Sequence, residues 1–341
     1  MRKLFVTGGA GFIGSAFIRL ALAELPDCEI TNFDALTYAG NPDNLAGLDE
    51  SRYRLVRGDV ADREAVLNTL AAGADAIVNF AAETHVDRSI AAAAQFLRAN
   101  ITGAQVLLDA AREMGVPRFV QVSTDEVMGS LPEDDEGAFF TEATPLDPKN
   151  PYAATKAAAE HLVNAAHHTH KLNTVITRCG NNYGPRQFPE KLIPLLISNA
   201  LHDQPIPVYG DGRNVRDWIY VEDHARAVLL AMTKGAAGAV YNIGARNERR
   251  NLEVVESILT ALGKPHSLIR FVTDRPGHDR RYAIDPSKAE RELGWRPLET
   301  WESGILKTIK WYEENAEWIA RARSGAYRDY YARHYGTEVV T

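Results

Sequence analysis

The segment that most constrains this chain is Gly8-Gly9-Ala10-Gly11-Phe12-Ile13-Gly14. It follows the apolar run LFVTG and opens an amphipathic stretch from Phe12 to Leu25. Side chains on such a turn would keep a pyrophosphate away from the backbone, and a glycine at its end lets helix and strand pack closely. The first N–H groups of the helix then face the phosphates with a partial positive charge. Glycine-rich turns without a ligand are common. What assigns this one is its place at the first strand-to-helix junction of an alternating chain. Asp34 closes the second β-rich run, EITNF, 20 positions after Gly14. A carboxylate there accepts hydrogen bonds from the adenosine ribose hydroxyls and repels a 2′-phosphate, so the cofactor expected is NAD and not NADP. Asp59, after the third run YRLVRGD, is placed to meet the adenine edge.

The alternation continues through AIVNFAA, RFVQVST and NTVITR, with helical patterns over Arg63–Leu70, Ala91–Met114 and Tyr152–His168. Strands alternating with helices predict an α/β fold: a doubly wound parallel sheet of the Rossmann type, covered by helices on both faces. Near residue 180 the texture changes. Pro185, Pro189, Pro194, Pro205 and Pro207 punctuate the chain, and helical patterns remain over Glu222–Met232, Leu252–Leu262 and Trp301–Arg323. The expected organisation is a cofactor-binding domain over residues 1–180. A smaller mixed α/β substrate domain, residues 181–341, is interwoven with it.

Composition excludes several classes. The 38 basic and 45 acidic side chains leave a net charge of −7 without basic clusters, which argues against a nucleic-acid partner. No apolar run reaches the roughly 18 residues that span a bilayer. Gly8 and Gly9 cut short the only stretch that could start a signal peptide. Cys28 and Cys179 cannot form a disulfide framework, and a reducing cytoplasm is the expected address. The His-rich tract His167–His170 lacks carboxylate or cysteine partners at ligand spacing, so no metal is expected. Cys179 has no evident base and is expected to be a small buried residue.

STDE ends the fifth β-rich run, and PYAATK places Tyr152 and Lys156 four apart on one helix face. A phenol with an ordinary pKa near 10 is a poor base. A neighbouring ammonium favours the phenolate, which can take a proton from a substrate hydroxyl while hydride leaves for NAD.

With these motifs the chain resembles the extended short-chain dehydrogenase/reductases, the nucleotide-sugar epimerases, dehydratases and decarboxylases. NFAAETHVDRSI, STDEV, NNYGPRQFPEKLIP, GDGRNVRDWIYVEDHARA, YNIG and DRPGHDRRYAID followed by ELGWRP are similar to its 4,6-dehydratases from Met1 to about Tyr330. The adjacent acids Asp125 and Glu126 separate that branch from the 4-epimerases; the alternatives are a 4,6-dehydratase of another nucleotide sugar and a UDP-sugar 4-epimerase of the same family. The resemblance implies a hydro-lyase of deoxysugar synthesis acting on dTDP-glucose. Thr124 would hold the C4 oxygen beside Tyr152, Glu126 would take the C5 proton, and Asp125 would protonate the departing C6 hydroxyl.

The resemblance also implies further contacts. NAD would meet Gly8, Gly11, Phe12, Ile13, Gly14, Asp34, Ala35, Leu36, Thr37, Asp59, Val60, Phe80, Ala81, Ala82, Thr84, Ala99, Asn182, Tyr152 and Lys156. The substrate would meet Thr84, Thr124, Asn181, Glu190, Lys191, Leu192, Pro207, Val208, Tyr209, Asn251 and Tyr282, with Arg216, Arg275 and His278 on its diphosphate. Met128 stands where the family usually has an aromatic, Thr84 replaces a common Ser, and Ala99 a common Thr. The resemblance further implies a homodimer, in which the Ala91–Met114 and Tyr152–His168 helices of two copies form a four-helix bundle.

Overall fold

The structure is a computed structural model and describes residues 1–135, 137–274 and 278–322. Six strands form first: β1 (Lys3–Thr7), β2 (Glu29–Asp34), β3 (Tyr53–Arg57), β4 (Ala76–Asn79), β5 (Phe119–Thr124) and β6 (Thr174–Cys179). β4, β5 and β6 are buried along their whole length, as strands covered on both faces must be. Between strands lie α1 (Phe12–Glu24), α2 (Arg63–Leu70), α3 (Val86–Ala91), α4 (Ala94–Phe96), α5 (Gly103–Glu113) and α6 (Pro151–His170). The order across the sheet is β3-β2-β1-β4-β5-β6. It reverses direction between β1 and β4, and the crevice beyond the carboxyl ends of those two strands is where such sheets bind dinucleotides.

Two apolar layers clamp this sheet. Phe17, Ile18, Ala21 and Leu22 of α1 pack on one face with Val6, Ile30 and Val78. Leu107, Leu108 and Ala111 of α5 and Val163 of α6 pack on the other with Phe5, Ile77 and Phe119.

The pattern over Ala91–Met114 does not make one helix. The chain breaks at Ala92 (φ −154°) and resumes as α4, a wide π turn over Leu97–Thr102, and α5. Within that turn Asn100 faces inward. It bonds the backbone of Glu83 in both directions, at 2.9 and 3.0 Å, and donates to Thr155 Oγ1 at 2.9 Å. The pattern over Trp301–Arg323 also divides, at Asn315.

Beyond residue 180 come β7 (Asn181–Tyr183), α7 (Leu192–Leu201), β8 (Ile206–Tyr209), β9 (Val215–Tyr220), α8 (Val221–Lys234), β10 (Ala239–Ile243), β11 (Glu248–Arg250), α9 (Asn251–Ala261), β12 (Ile269–Val272), α10 (Ser287–Leu293), α11 (Trp301–Glu314) and α12 (Ala316–Ala322). Here sequence punctuation misleads. Pro194 sits in the first turn of α7, where a missing N–H costs nothing. β10 returns to pair in parallel with β6 and becomes the seventh strand of the large sheet. α8 packs Ala225, Val228 and Leu229 against the α1 layer. The remaining strands form two small sheets, β11-β9-β7 and β12-β8. They pack with α7, α9, α11 and α12 around Trp218, Trp301 and Tyr312.

Candidate active site

A cavity of about 620 Å³ opens along the carboxyl ends of β1, β2, β4, β5 and β6. Its adenosine end is built by the glycine turn. Gly8 holds φ +69°, and a Cβ there would stand 2.6 Å from the Ala81 nitrogen. A Cβ on Gly14 would come within 2.4 Å of the Gly8 carbonyl. Side chains are therefore excluded, and no side chain caps α1 at Gly11, so its first N–H groups face the cavity. At the end of β2 the buried Asp34 accepts from Ala10 N and Leu36 N, both at 2.8 Å. Burial raises its pKa and those two bonds oppose the rise. The cavity also meets Phe12, Ile13, Ala35, Thr37, Asp59, Val60, Phe80, Ala81, Ala82, Thr84 and Ala99. A side-chain-free turn, an open helix start and a carboxylate at the second strand's end are the donor set a dinucleotide needs, and these residues fit NAD.

The middle of the cavity carries Thr124, Asp125, Glu126, Tyr152 and Lys156. β5 ends at Thr124, whose Oγ1 accepts from Glu126 N at 3.3 Å and lies 3.2 Å from Asp125 Oδ1. Asp125 is 2% exposed and its Oδ2 has no partner among the described residues. Burial, then the charge of Glu126, pushes its carboxyl well above the carboxylate range, while Arg216 pulls the other way. Glu126 is half-buried and accepts from Asn150 Nδ2 at 3.4 Å.

The expected lowering of the Tyr152 phenol by Lys156 is absent. Lys156 Nζ donates to the Val122 carbonyl at 2.7 Å, and burial brings its pKa down to about 8. Tyr152 is held well above its ordinary value by burial and by the charge of Glu126. Both groups lie in a dry wall, where a charge on either is costly until a partner arrives.

Other expectations divide. Asn181, Glu190 and Lys191 line the cavity with Asn182, but the Asn182 side chain turns inward. Its Oδ1 lies 2.9 Å from the buried His224 Nδ1, and its Nδ2 donates to Gly180 O at 3.1 Å. Any contact it makes in the cavity is therefore through its backbone. Leu36, a left-handed residue at φ +52°, is outside the lining and packs against the α1 layer. Val208 is buried in the C-terminal core, and Leu192 packs against that core, so contacts from either fall to the main chain. Pro207, Tyr209 and Asn251 also lie outside the cavity lining, on β8 and at the start of α9.

Arg216 is 5% exposed and donates to Val215 O and Asp279 O at 2.8 and 2.9 Å. It stacks over the Tyr282 ring at 4.3 Å. Arg216 and Tyr282 are near enough to the acid pair for the charges to be felt. His278 bonds Asp274 at 2.6 Å and meets the Tyr209 ring edge-on. Arg275 lies outside the described residues. Cys179 is buried, its thiol pushed up to about 12 by burial. Among the described residues no cluster of His, Cys, Asp and Glu could hold a metal, and no helix is long and apolar enough to cross a membrane.

Sequence reasoning missed several lining residues: Tyr38, Gln95, Arg98, Gln187 and Phe188. Arg98 Nε donates to Asp59 Oδ2 at 2.9 Å. Gln187 and Phe188 lie within the segment NNYGPRQFPEKLIP, whereas Tyr38, Gln95 and Arg98 belong to no quoted motif.

The chain belongs to the family described as GDP-mannose 4,6 dehydratase, whose model matches residues 5–308. Within that class it is 47% identical to the dTDP-glucose 4,6-dehydratase of Salmonella typhimurium, over 98% of this chain and 99% of that one. It is 49% identical to the dTDP-glucose 4,6-dehydratase of Neisseria gonorrhoeae, over 92% and 96%. The crystal structure of DesIV, a dTDP-glucose 4,6-dehydratase from Streptomyces venezuelae with NAD and TYD bound, superposes with a TM-score of 0.90. It is 49% identical over 94% of this chain and 99% of that one. A Thermus thermophilus UDP-glucose 4-epimerase in complex with NAD reaches a TM-score of 0.85 at 31% identity, over 92% and 99%.

Proposed function

We propose that the protein is a dTDP-glucose 4,6-dehydratase, an NAD-dependent hydro-lyase that makes dTDP-4-keto-6-deoxyglucose and water for deoxysugar synthesis. The observation that carries this reading is the buried Asp125, with its Oδ2 unpartnered among the described residues, beside the more open Glu126 and next to Thr124 and Tyr152 in a cleft shaped for a dinucleotide. Relatives near half identity over nearly the whole chain carry that name.

NAD, held by the Gly8–Gly14 turn and Asp34, would supply the hydride acceptor at C4 and the hydride donor at C6. The residues of this chain do the rest. Tyr152, as the phenolate that the positive charge of Lys156 favours, takes the C4 hydroxyl proton, with Thr124 holding the oxygen. The C4 ketone makes the C5 proton acidic, and Glu126 takes it. Asp125, kept protonated by its dry site and by its neighbour's charge, gives its proton to the C6 hydroxyl, which leaves as water. Glu126 then gives a proton back to C5, and the proton taken by Tyr152 is released to solvent, from which Asp125 is re-protonated, so the net loss is one water. Two carboxyl groups in unlike environments divide acid from base. A 4-epimerase needs no such pair.

The same reading assigns Arg216, Lys191, Arg275 and His278 to the diphosphate of the nucleotide sugar. It assigns Asn181, Glu190, Tyr282 and the main chain of β8 and α9 to the sugar and base. It divides the chain near residue 180 into a cofactor domain and a substrate domain that lends β10 to the first. It places the protein in the cytoplasm as a homodimer. Its contact would be formed by residues 91–114 and 152–168 of the two copies, a stretch in which Leu97 is exposed.

The test is incubation with dTDP-, UDP-, CDP- and GDP-glucose, followed by mass detection of a product lighter by one water. Turnover of dTDP-glucose in preference to the others is expected. Interconversion of C4 epimers without loss of water would instead make the chain an epimerase.

A further inference from the structure

Around Glu190, which lines the cavity, stand three side chains that the mechanism above does not use: Tyr38, Arg88 and Phe188. Tyr38 belongs to the loop that leaves β2 after Asp34, the loop that lines the adenosine end. Its hydroxyl donates to Glu190 Oε1 at 2.9 Å, 152 residues away in the chain. Arg88 donates to the other oxygen, Oε2, at 3.4 Å, and its guanidinium lies over the Tyr38 ring at 3.8 Å. Phe188 meets the same ring edge-on at 5.6 Å. One residue on, Lys191 Nζ donates to the Thr84 carbonyl at 3.1 Å. The segment 188–191 is thus tied to the loop after β2 and to the loop after β4.

We propose that Tyr38 is a positioning residue for the sugar half of the site: its hydroxyl fixes the Glu190 carboxylate that lines the cavity, linking the cofactor's ribose loop to the grip on the sugar. This rests on the nucleotide-sugar reading above. Glu190 is buried, and a buried carboxylate without its donors would swing toward other partners or take up a proton. Burial also keeps the Tyr38 phenol protonated, so it remains a donor. A hydrogen bond to a charged acceptor is worth enough to change a binding constant about ten-fold when it is lost.

The test compares the wild-type holoenzyme with Tyr38→Phe, Glu190→Gln and the double variant. Tyr38→Phe keeps the ring, its edge contact with Phe188 and the overlying Arg88. The expected result is a fall in kcat/KM for dTDP-glucose of about ten-fold, carried mainly by KM. Affinity for dTDP, which lacks the sugar, and for NAD should stay within about two-fold, well inside one hydrogen bond's worth. The two single changes should be non-additive, because each removes the same bond. An equal loss of dTDP affinity, additive single changes or an unchanged kcat/KM overturns the proposal. A wild-type protein that turns over no dTDP-glucose overturns the activity reading itself. An active wild type with an unaffected Tyr38→Phe overturns only this inference.

Discussion

Asp125 and Glu126 are adjacent in the chain and unlike in environment: Asp125 is 2% exposed with one oxygen unpartnered, whereas Glu126 is half-buried and held by Asn150 at 3.4 Å. The acid and the base of the elimination can therefore be lost separately. Glu126→Gln should leave C4 oxidation intact and stop the loss of water, so reduced cofactor accumulates on the enzyme with dTDP-glucose. Asp125→Asn should slow release of the C6 hydroxyl. Each change should cost about 10²- to 10⁴-fold in product formation. Stopped-flow absorbance of the reduced cofactor, with mass detection of product, separates the two. A Glu126→Gln enzyme that still exchanges C5 hydrogen with deuterated water would remove Glu126 as the base.

Gly14→Ala should weaken cofactor binding strongly with little effect on the rest of the fold. The new Cβ would stand 2.4 Å from the Gly8 carbonyl, a backbone atom that moves only if the turn opens. Titration with NAD, followed by protein fluorescence, should show an affinity loss of at least about ten-fold. The far-ultraviolet circular dichroism should match wild type.

Much of this was legible because motif and strand end coincide. The glycine turn, Asp34, Asp59, Thr124 and the Tyr152–Lys156 pair each sit where a strand stops or a helix starts, and local patterning marks such places. What was not legible is tertiary. AVYNI is a short apolar run that could have joined any sheet, and its pairing with β6 is fixed by tertiary packing: α8 lies back on α1, and α10 packs Ala289 and Leu293 with Tyr241 and Ile243. Ala92 breaks a helical pattern with neither Pro nor Gly to announce it. The inward turn of Asn182 depends on His224, 42 residues later, and no spacing rule connects them.

Lys156 is a stability cost at neutral pH. Its folded pKa of about 8 lies below the ordinary 10.5. The unfolded chain therefore binds the extra proton between those values, and stability rises with pH across that window. Below about pH 8 the whole cost is present. Lys156→Met should inactivate the enzyme yet raise its unfolding free energy at pH 7 by roughly 1–3 kcal/mol. The gain is limited by the lost bond to the Val122 carbonyl. Urea unfolding at pH 7 and pH 10 checks this, and the gain should shrink at the higher pH.

His224 acts at the acid end. Burial lowers its pKa to about 3, below the ordinary 6.5. The unfolded state takes up the proton first, so this residue removes stability as pH falls below 6.5, by about 1.4 kcal/mol per pH unit. Asp217, raised to about 6 by burial, works in the opposite sense between about pH 6 and 3.8 and masks part of the loss. His224→Gln keeps an amide donor near Asn182 Oδ1 and does not titrate. Its stability relative to wild type should improve steadily from pH 6.5 down to pH 4, measured as the difference in melting temperature.

Behind Lys156, one turn along α6, Glu160 and Arg178 form a buried pair. The guanidinium donates to the carboxylate at 2.7 to 3.1 Å, and the two side chains are 0% and 5% exposed. Nη1 of the arginine has Met128 Sδ at 3.6 Å, a weak acceptor in place of the aromatic expected there. Two buried charges cancel one another but recover little more than their lost hydration, whereas one alone recovers nothing. Glu160→Gln should therefore cost about 3–5 kcal/mol of stability. Glu160→Leu combined with Arg178→Met should regain most of that loss, since no charge is left to bury. Denaturant unfolding of the single and double variants measures both. A double variant as unstable as the single would show that the pair contributes geometry that apolar packing cannot replace. Glu160 also supports the charge on Lys156, so the double variant should keep its fold and still lose hydride-transfer rate toward the alkaline side.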